Sequence, residues 1–526
     1  MNLGPYEAKN ADCLSDLRST DPRDDIARIE ASKDKLLKGS CAWILEDRDF
    51  LRWKDSKDTR RLWIKGGPGK GKTMMMMALV GELSRQFETN PGSGILSYFF
   101  CQNTDADLNN AVSILRGLIY LLVDQDKALI RHLRKKYDVA GRGLFEDKNA
   151  FYALQHILSD ILDDPSLERV YLMIDALDEC ESQLSELLDL IARTSKSSSR
   201  VKWLVSSRNR ADIEKQLNPD GPHLISLELN SSRISDAVNA FINFKVSKLA
   251  EDHDYDSEIH KEVSSYLRSN AGETFLWVAL VCKQLERVQV WDTQQVLKEF
   301  PPGLEPLYAR MMKNIRRERP TTVQYCSKIL STATMVYRPL HLKELAVTAG
   351  LPEQLCRNIR SVEKLVELCG SFLTIREEVI YFVHQSAKDY FSNGEVSEIF
   401  PSGQAEEHCK ITRRSLQAMS ATLKRDICSL QKPGALLDEL SGVDQDPLAH
   451  IRYACRYWVA HCDTGNLQHN QVLLRDGGEV HVFLQEHFLH WLEALSLMGN
   501  IFDGAGMMRS LEILLTVSND TVLQSY

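Results

Sequence analysis

The chain has 526 residues, 43% of them apolar and 26% charged, which is too long for one ordinary core and implies two to four globular domains. Its 64 Lys and Arg against 73 Asp and Glu argue against nucleic-acid binding driven by a basic face, and the basic stretch His132-Leu133-Arg134-Lys135-Lys136 reads as a solvated helix face. The chain opens without a secretory pattern, no apolar run approaches the roughly 18 residues of a membrane span, and the 12 cysteines form no CxxC pair. The expectation is a cytosolic protein with reduced thiols and no membrane span.

In chain order, Thr20-Asp21-Pro22-Arg23-Asp24 predicts a helix start, with an acidic cap and a proline at the first helical position. Ile26, Ile29, Leu36 and Leu37 extend its apolar face toward Trp43 and Leu45. A polar loop over 54–61 leads to a buried strand, Leu62-Trp63-Ile64-Lys65, then a glycine-rich loop and a helix over 71–88. Further strands are predicted at 95–100, 171–174, 201–205 and 224–229, with three helical segments filling 108–162. Strands alternating with helices imply a parallel sheet covered on both faces, an α/β domain over 61–230 behind a helical lead-in at 1–60. The pattern then turns wholly helical over 231–318, broken at Pro301-Pro302-Gly303. Phe372-Leu373-Thr374-Ile375 and Val379-Ile380-Tyr381-Phe382-Val383 bracket Arg376-Glu377-Glu378 as a β-hairpin, and the flanking helices make 319–398 a winged-helix pattern. A helical region over 399–526 completes the chain, without an internal repeat.

Gly66-Gly67-Pro68-Gly69-Lys70-Gly71-Lys72-Thr73 fits G-x-x-x-x-G-K-[ST]. Glycines let backbone N–H groups turn inward around phosphates, and the helix that continues through Met74 presents its positive end to the same anion. Lys72 can reach β- and γ-phosphate oxygens, and the Thr73 hydroxyl can ligate Mg2+. Tyr171-Leu172-Met173-Ile174-Asp175 is the expected partner, an apolar strand delivering a carboxylate at its C-terminal end, where ligands of such sheets bind. Asp175 would hold magnesium through water, and of Asp178 and Glu179 the latter is the better candidate to polarise an attacking water. Lys202-Trp203-Leu204-Val205-Ser206-Ser207-Arg208 ends in a cation suited to sensing a γ-phosphate, with Arg210 as a weaker rival. Met74, Met75, Met76 and Met77 point in four directions and read as core. His450, Cys455, His461, Cys462 and His469 lack zinc spacing and read as ordinary helix residues.

The order of these motifs resembles the NACHT family of STAND-class P-loop NTPases, and more narrowly the fungal heterokaryon-incompatibility type with its nephrocystin-like NTPase region. Cys13 to Arg23, Gly272-Glu273-Thr274-Phe275-Leu276-Trp277 and Phe382 to Tyr390 extend the resemblance over most of the chain. It implies a sheet order of 5-1-4-3-2, phosphate binding by residues 66–73, magnesium at Asp175, sensing by Arg208, and a histidine, His384, that touches the diphosphate of the resting state. It also implies a slow hydrolytic switch that self-associates when nucleotide exchange opens its domains, with protein partners for effector and sensor roles. The family's proline beside the adenine is absent from Asn270-Ala271-Gly272-Glu273-Thr274. No Asn-Lys-x-Asp motif reads guanine, so ATP is expected ahead of GTP. About a dozen residues precede the family's lead-in and no ankyrin, tetratricopeptide or WD periodicity follows, which suits a fragment, a splice form or a stand-alone core. A constitutive ATPase or kinase and a non-hydrolysing scaffold are the rival expectations.

Overall fold

The computed structural model describes residues 5–32, 42–90, 92–217, 224–393, 399–430, 446–465 and 472–524. The chain divides into two compact units, Met1–Leu307 and Tyr308–Tyr526.

In the first unit, five short apolar runs form β1 (Arg61–Lys65), β2 (Ile95–Phe100), β3 (Val170–Asp175), β4 (Val201–Ser207) and β5 (Leu224–Ser226). All pairings are parallel, in the order β2-β3-β4-β1-β5, which reads 5-1-4-3-2 from the opposite edge. Every residue of β3 and β4, two of the three interior strands, is buried, as a parallel sheet covered on both faces requires. Helices Lys72–Thr89, Ala111–Gln125 and Leu184–Ser197 pack on the strands. Met74, Met75, Met76 and Met77 are all buried, so the first turn of the helix after the glycine loop is enclosed all round by core.

Beyond shifts of a residue at other ends, three elements differ from the sequence expectation. The helix entered at Pro22 ends at Ser32, a separate helix covers Ala42–Leu45, and Leu36 and Leu37 lie outside the described residues. Strand β4 runs two residues further than its apolar stretch because Ser206 and Ser207 keep pairing with Ile64 and Lys65. Strand β5 stops at Ser226 rather than 229. The Leu227 N–H still donates to the Lys65 carbonyl at 2.9 Å, but β1 gives way there to the glycine loop, so the ladder runs out of partner.

Lys202 is an exception to the apolar interior. It is 2% exposed, and its ammonium donates to the carbonyls of Trp53 (2.6 Å), Thr59 (2.9 Å) and Ser56. Burial draws its pKa down to about 8. The three carbonyls are the compensation a buried charge demands, and they pin the segment ahead of β1 to β4.

After β5 the first unit is helical: Ser231–His253, Ser257–Asn270 and Phe275–Leu285 follow one another. Helix Leu304–Arg316 begins after the Pro301-Pro302-Gly303 break. In the second unit, helices Pro320–Met335, Leu342–Thr348 and Ile359–Leu368 precede an antiparallel hairpin, β6 (Leu373–Arg376) and β7 (Val379–Phe382). Its two turn residues, Glu377 and Glu378, both have positive φ (48° and 60°), as a tight two-residue hairpin turn requires. Beyond them, helices Gln404–Thr422, Arg452–Thr464, Glu479–Leu497 and Ile501–Gln524 close over a core that includes Trp458 and Trp491.

Candidate nucleotide site

The loop between β1 and its helix owes its shape to two left-handed glycines, Gly69 (φ 74°) and Gly71 (φ 84°). A side chain at either would be strained, and the surroundings leave no room. A Cβ at Gly69 would meet Thr274 Cγ2 at 2.8 Å and Leu276 Cβ at 2.9 Å, and one at Gly71 would meet the Phe275 ring at 3.0 Å. Gly66 lies as close to Leu227. The helix then starts at Lys72 with Gly71 as its cap, so the N–H groups of Lys72, Thr73 and Met74 belong to the unpaired first turn that can face an anion.

Lys72 curls over the loop, its Nζ donating to the carbonyls of Gly66 (2.6 Å) and Gly67 (2.9 Å). Burial lowers its pKa, opposed by the nearby carboxylates of Asp178, Asp175 and Glu179, while Arg208 adds to the lowering. The structure thus brings the loop, the end of β3 and the end of β4 into one electrostatic neighbourhood, as the crevice at the carboxyl ends of the strands predicts. Asp175 is 2% exposed and receives a hydrogen bond from the Ser206 hydroxyl, which itself accepts from the Ala176 N–H at 2.9 Å. Ala176 then takes a left-handed conformation (φ 52°) that turns the chain sharply into Asp178 and Glu179.

Those two acids have different surroundings. Asp178 accepts from the Arg208 backbone N–H (3.0 Å) and pairs with the Arg208 guanidinium (3.2 Å). It therefore sets the position of the candidate sensor, a role the sequence did not reveal. Glu179 accepts from the Asn103 N–H at 3.0 Å, and burial first, then the charge of Asp178, raise its pKa to about 7. That is the range a general base needs at neutral pH. Arg210 instead pairs with Asp212 and donates to the Asp178 carbonyl at 3.2 Å.

Two further carboxylates touch the loop. Glu228 accepts from the Gly67 N–H at 2.7 Å; burial opposes its ionisation, but that bond, its own N–H, Ser226 and Lys70 together hold its pKa below the usual value. Glu273 pairs with Lys70 at 2.9 Å. Glu228 belongs to no sequence motif, and Glu273, although within the Gly272–Trp277 stretch, carries no role there that spacing exposes, because both reach the loop from elements distant in sequence. His384 lies in the second unit, capping helix Gln385–Ser392: its Nδ1 accepts from the Ser386 N–H at 3.1 Å. His461 is bound through both ring nitrogens, to His408 (2.7 Å) and Tyr453 (2.6 Å), while His450 meets Thr422 at 3.0 Å. His469 lies outside the described residues.

The donors near the loop fit magnesium, a hard cation served by oxygens: the Thr73 hydroxyl and the Asp175 carboxylate are of that type. Among the described residues no group of three or more His, Cys, Asp or Glu converges to hold a metal by itself.

A parallel sheet in this order, with a G-x-x-x-x-G-K-[ST] loop after β1 and an acidic end to β3, defines a P-loop NTPase domain. Residues 39–208 match the model of the family described as nephrocystin 3, N-terminal. Over an alignment of 525 positions that covers 96% of this chain, it is 46% identical to the vegetative incompatibility protein HET-E-1 of Podospora anserina, and it spans 38% of that protein. The resemblance to incompatibility-type NACHT proteins is therefore shown by sequence at large as well as by motif. A Walker-type ATPase of Pyrococcus abyssi, 12% identical, aligns over 68% of this chain and 96% of its own, with a TM-score of 0.33. Among the described residues, no helix is long and apolar enough to cross a membrane.

Proposed function

We propose that this chain is a nucleotide-controlled switch that binds ATP, with GTP as the alternative, and hydrolyses it slowly. The observation that carries the proposal is the gathering of Lys72, Asp175, Asp178, Glu179 and Arg208 around one glycine loop. Residues 66–74 bind the phosphates through backbone N–H groups and the Lys72 ammonium. Thr73 and Asp175 hold magnesium, whose charge offsets that of the β- and γ-phosphates. Glu179 accepts a proton from the attacking water, and Arg208, steadied by Asp178, senses the γ-phosphate. His384 enters as a diphosphate contact from the resemblance alone.

The domain limits 61–230, 231–318, 319–398 and 399–526 belong to the same proposal. Helices Pro320–Met335, Leu342–Thr348, Glu353–Cys356 and Ile359–Leu368 followed by a tight hairpin, with His341 bridging to Val379, support a winged helix at 319–398. Similarity to an incompatibility protein supports a role in fungal non-self recognition or programmed cell death, and self-association with further protein partners belongs to the same reading. The described cysteines form no disulfide and nearly all of them are buried; a cytosolic site of action belongs to the same proposal.

The deciding experiment denatures freshly purified protein and identifies the released nucleotide by chromatography. Near-stoichiometric diphosphate is expected, and its base separates adenine from guanine. An empty protein with rapid turnover would replace the switch by a constitutive ATPase; an empty protein that binds nothing would replace it by a scaffold.

A further inference from the structure

The turn that joins helices Ser257–Asn270 and Phe275–Leu285 has an unusual backbone. Gly272 and Glu273 both have positive φ, 53° and 60°. For glycine this is cheap, but for glutamate the left-handed region costs on the order of 1 kcal/mol. Strain of this kind persists only where the surroundings over-determine it, and it concentrates at ligand clamps.

What the strained conformation achieves is visible. It brings the Glu273 carboxylate to Lys70, the fifth residue of the glycine loop, at 2.9 Å, with the two side chains only 26% and 16% exposed. An ion pair this shielded is stronger than a surface pair. The turn also lies along the loop's outer wall. The Leu276 N–H faces the Gly69 carbonyl at 3.4 Å, and Thr274, Phe275 and Leu276 fill the space that Cβ atoms at Gly69 and Gly71 would need.

We infer that residues 272–276 form a clasp on the phosphate loop, and that Glu273 is a positioning residue that slows the escape of bound nucleotide by fixing Lys70. The inference rests on the nucleotide-binding reading above and adds a regulatory point to it. When the pair is closed, the loop is held with its N–H groups converging; when it opens, the loop relaxes and the nucleotide leaves. Helices that follow the turn would thereby report to the loop, and the loop to them, as coupling requires.

The sign of the effect separates this clasp from simple field effects. If Lys70 merely attracted phosphate and Glu273 merely repelled it, Lys70→Glu would speed release and Glu273→Lys would slow it. The clasp makes both single variants release a fluorescent adenosine diphosphate faster, at least about fivefold. The double variant, with the charges exchanged, then returns to within about twofold of the wild type. The measurement is the dissociation rate by stopped-flow displacement with excess unlabelled nucleotide, on the full chain, with each variant's far-ultraviolet circular dichroism confirming the fold. Opposite signs for the two singles, or a double variant no slower than the faster single, would overturn the clasp while leaving nucleotide binding intact. Wild type that binds no diphosphate would overturn the underlying reading as well.

Discussion

Glu179 offers the sharpest test of the chemistry, because its environment fixes a pH. The carboxyl is pushed up to about 7 by burial and by the Asp178 charge, against the hydrogen bond from Asn103. About half of Glu179 is then ionised at pH 7, about a tenth at pH 6 and about nine-tenths at pH 8. If ionised Glu179 accepts the proton from water, single-turnover hydrolysis should rise about fivefold from pH 6 to pH 7 and less than twofold from pH 7 to pH 8. A carboxylate at its ordinary value would be almost fully ionised at pH 6 and would give a flat profile. Glu179→Gln should lower the rate by about 10²–10⁴-fold and abolish the limb, with nucleotide affinity little changed. Asp178→Asn removes the neighbouring charge, so it should move the limb to lower pH. The sign for stability follows from the same shift. Because the folded form holds a proton that the unfolded chain releases near 4.5, this residue's contribution falls as pH rises from about 4.5 to about 7, and Glu179→Gln should flatten that dependence in urea melts. Hydrolysis by Glu179→Gln within threefold of wild type, or a flat wild-type profile between pH 6 and 8, would refute the assignment.

Lys72→Ala should weaken nucleotide binding at least about tenfold by calorimetry, since it removes a charge-assisted contact to phosphate; unchanged affinity would remove the loop from the site. Gly71→Ala forces a Cβ toward the Phe275 ring at 3.0 Å and into a φ of 84°, and should cost about 1–3 kcal/mol of stability in denaturant unfolding along with nucleotide affinity. His384→Ala loses the cap on helix Gln385–Ser392 and should cost about 1 kcal/mol. His384→Asn can restore that cap, so diphosphate retention that stays low in the asparagine variant marks a nucleotide contact, and full retention in both variants refutes one. Lys202→Met strips three carbonyls of their shared donor and should lower the thermal midpoint by several degrees.

Much of this protein was fixed by local chemistry. The glycine loop needs positive-φ residues and a following helix, so its position is written in eight consecutive residues. The interior strands are largely apolar runs because both faces are covered, and the hairpin follows from the two runs around Arg376-Glu377-Glu378, although Arg376 joins β6 and leaves Glu377 and Glu378 as the turn. Asp175 and Arg208 could be nominated because ligands gather at the carboxyl ends of parallel strands, whatever the loops between them. Tertiary structure decided what those rules do not reach. Strand β5 ended at Ser226 because β1, its partner, turned into the loop, an event in another part of the chain. Asp178 took Arg208 and left Glu179 buried beside its charge, a division of labour between adjacent acids that no spacing distinguishes. Glu228 and Glu273 come to the loop across 161 and 203 residues. The type and period of residues specify an element, whereas which side chains meet depends on how separate elements pack, and that is where the site acquires its particular electrostatics.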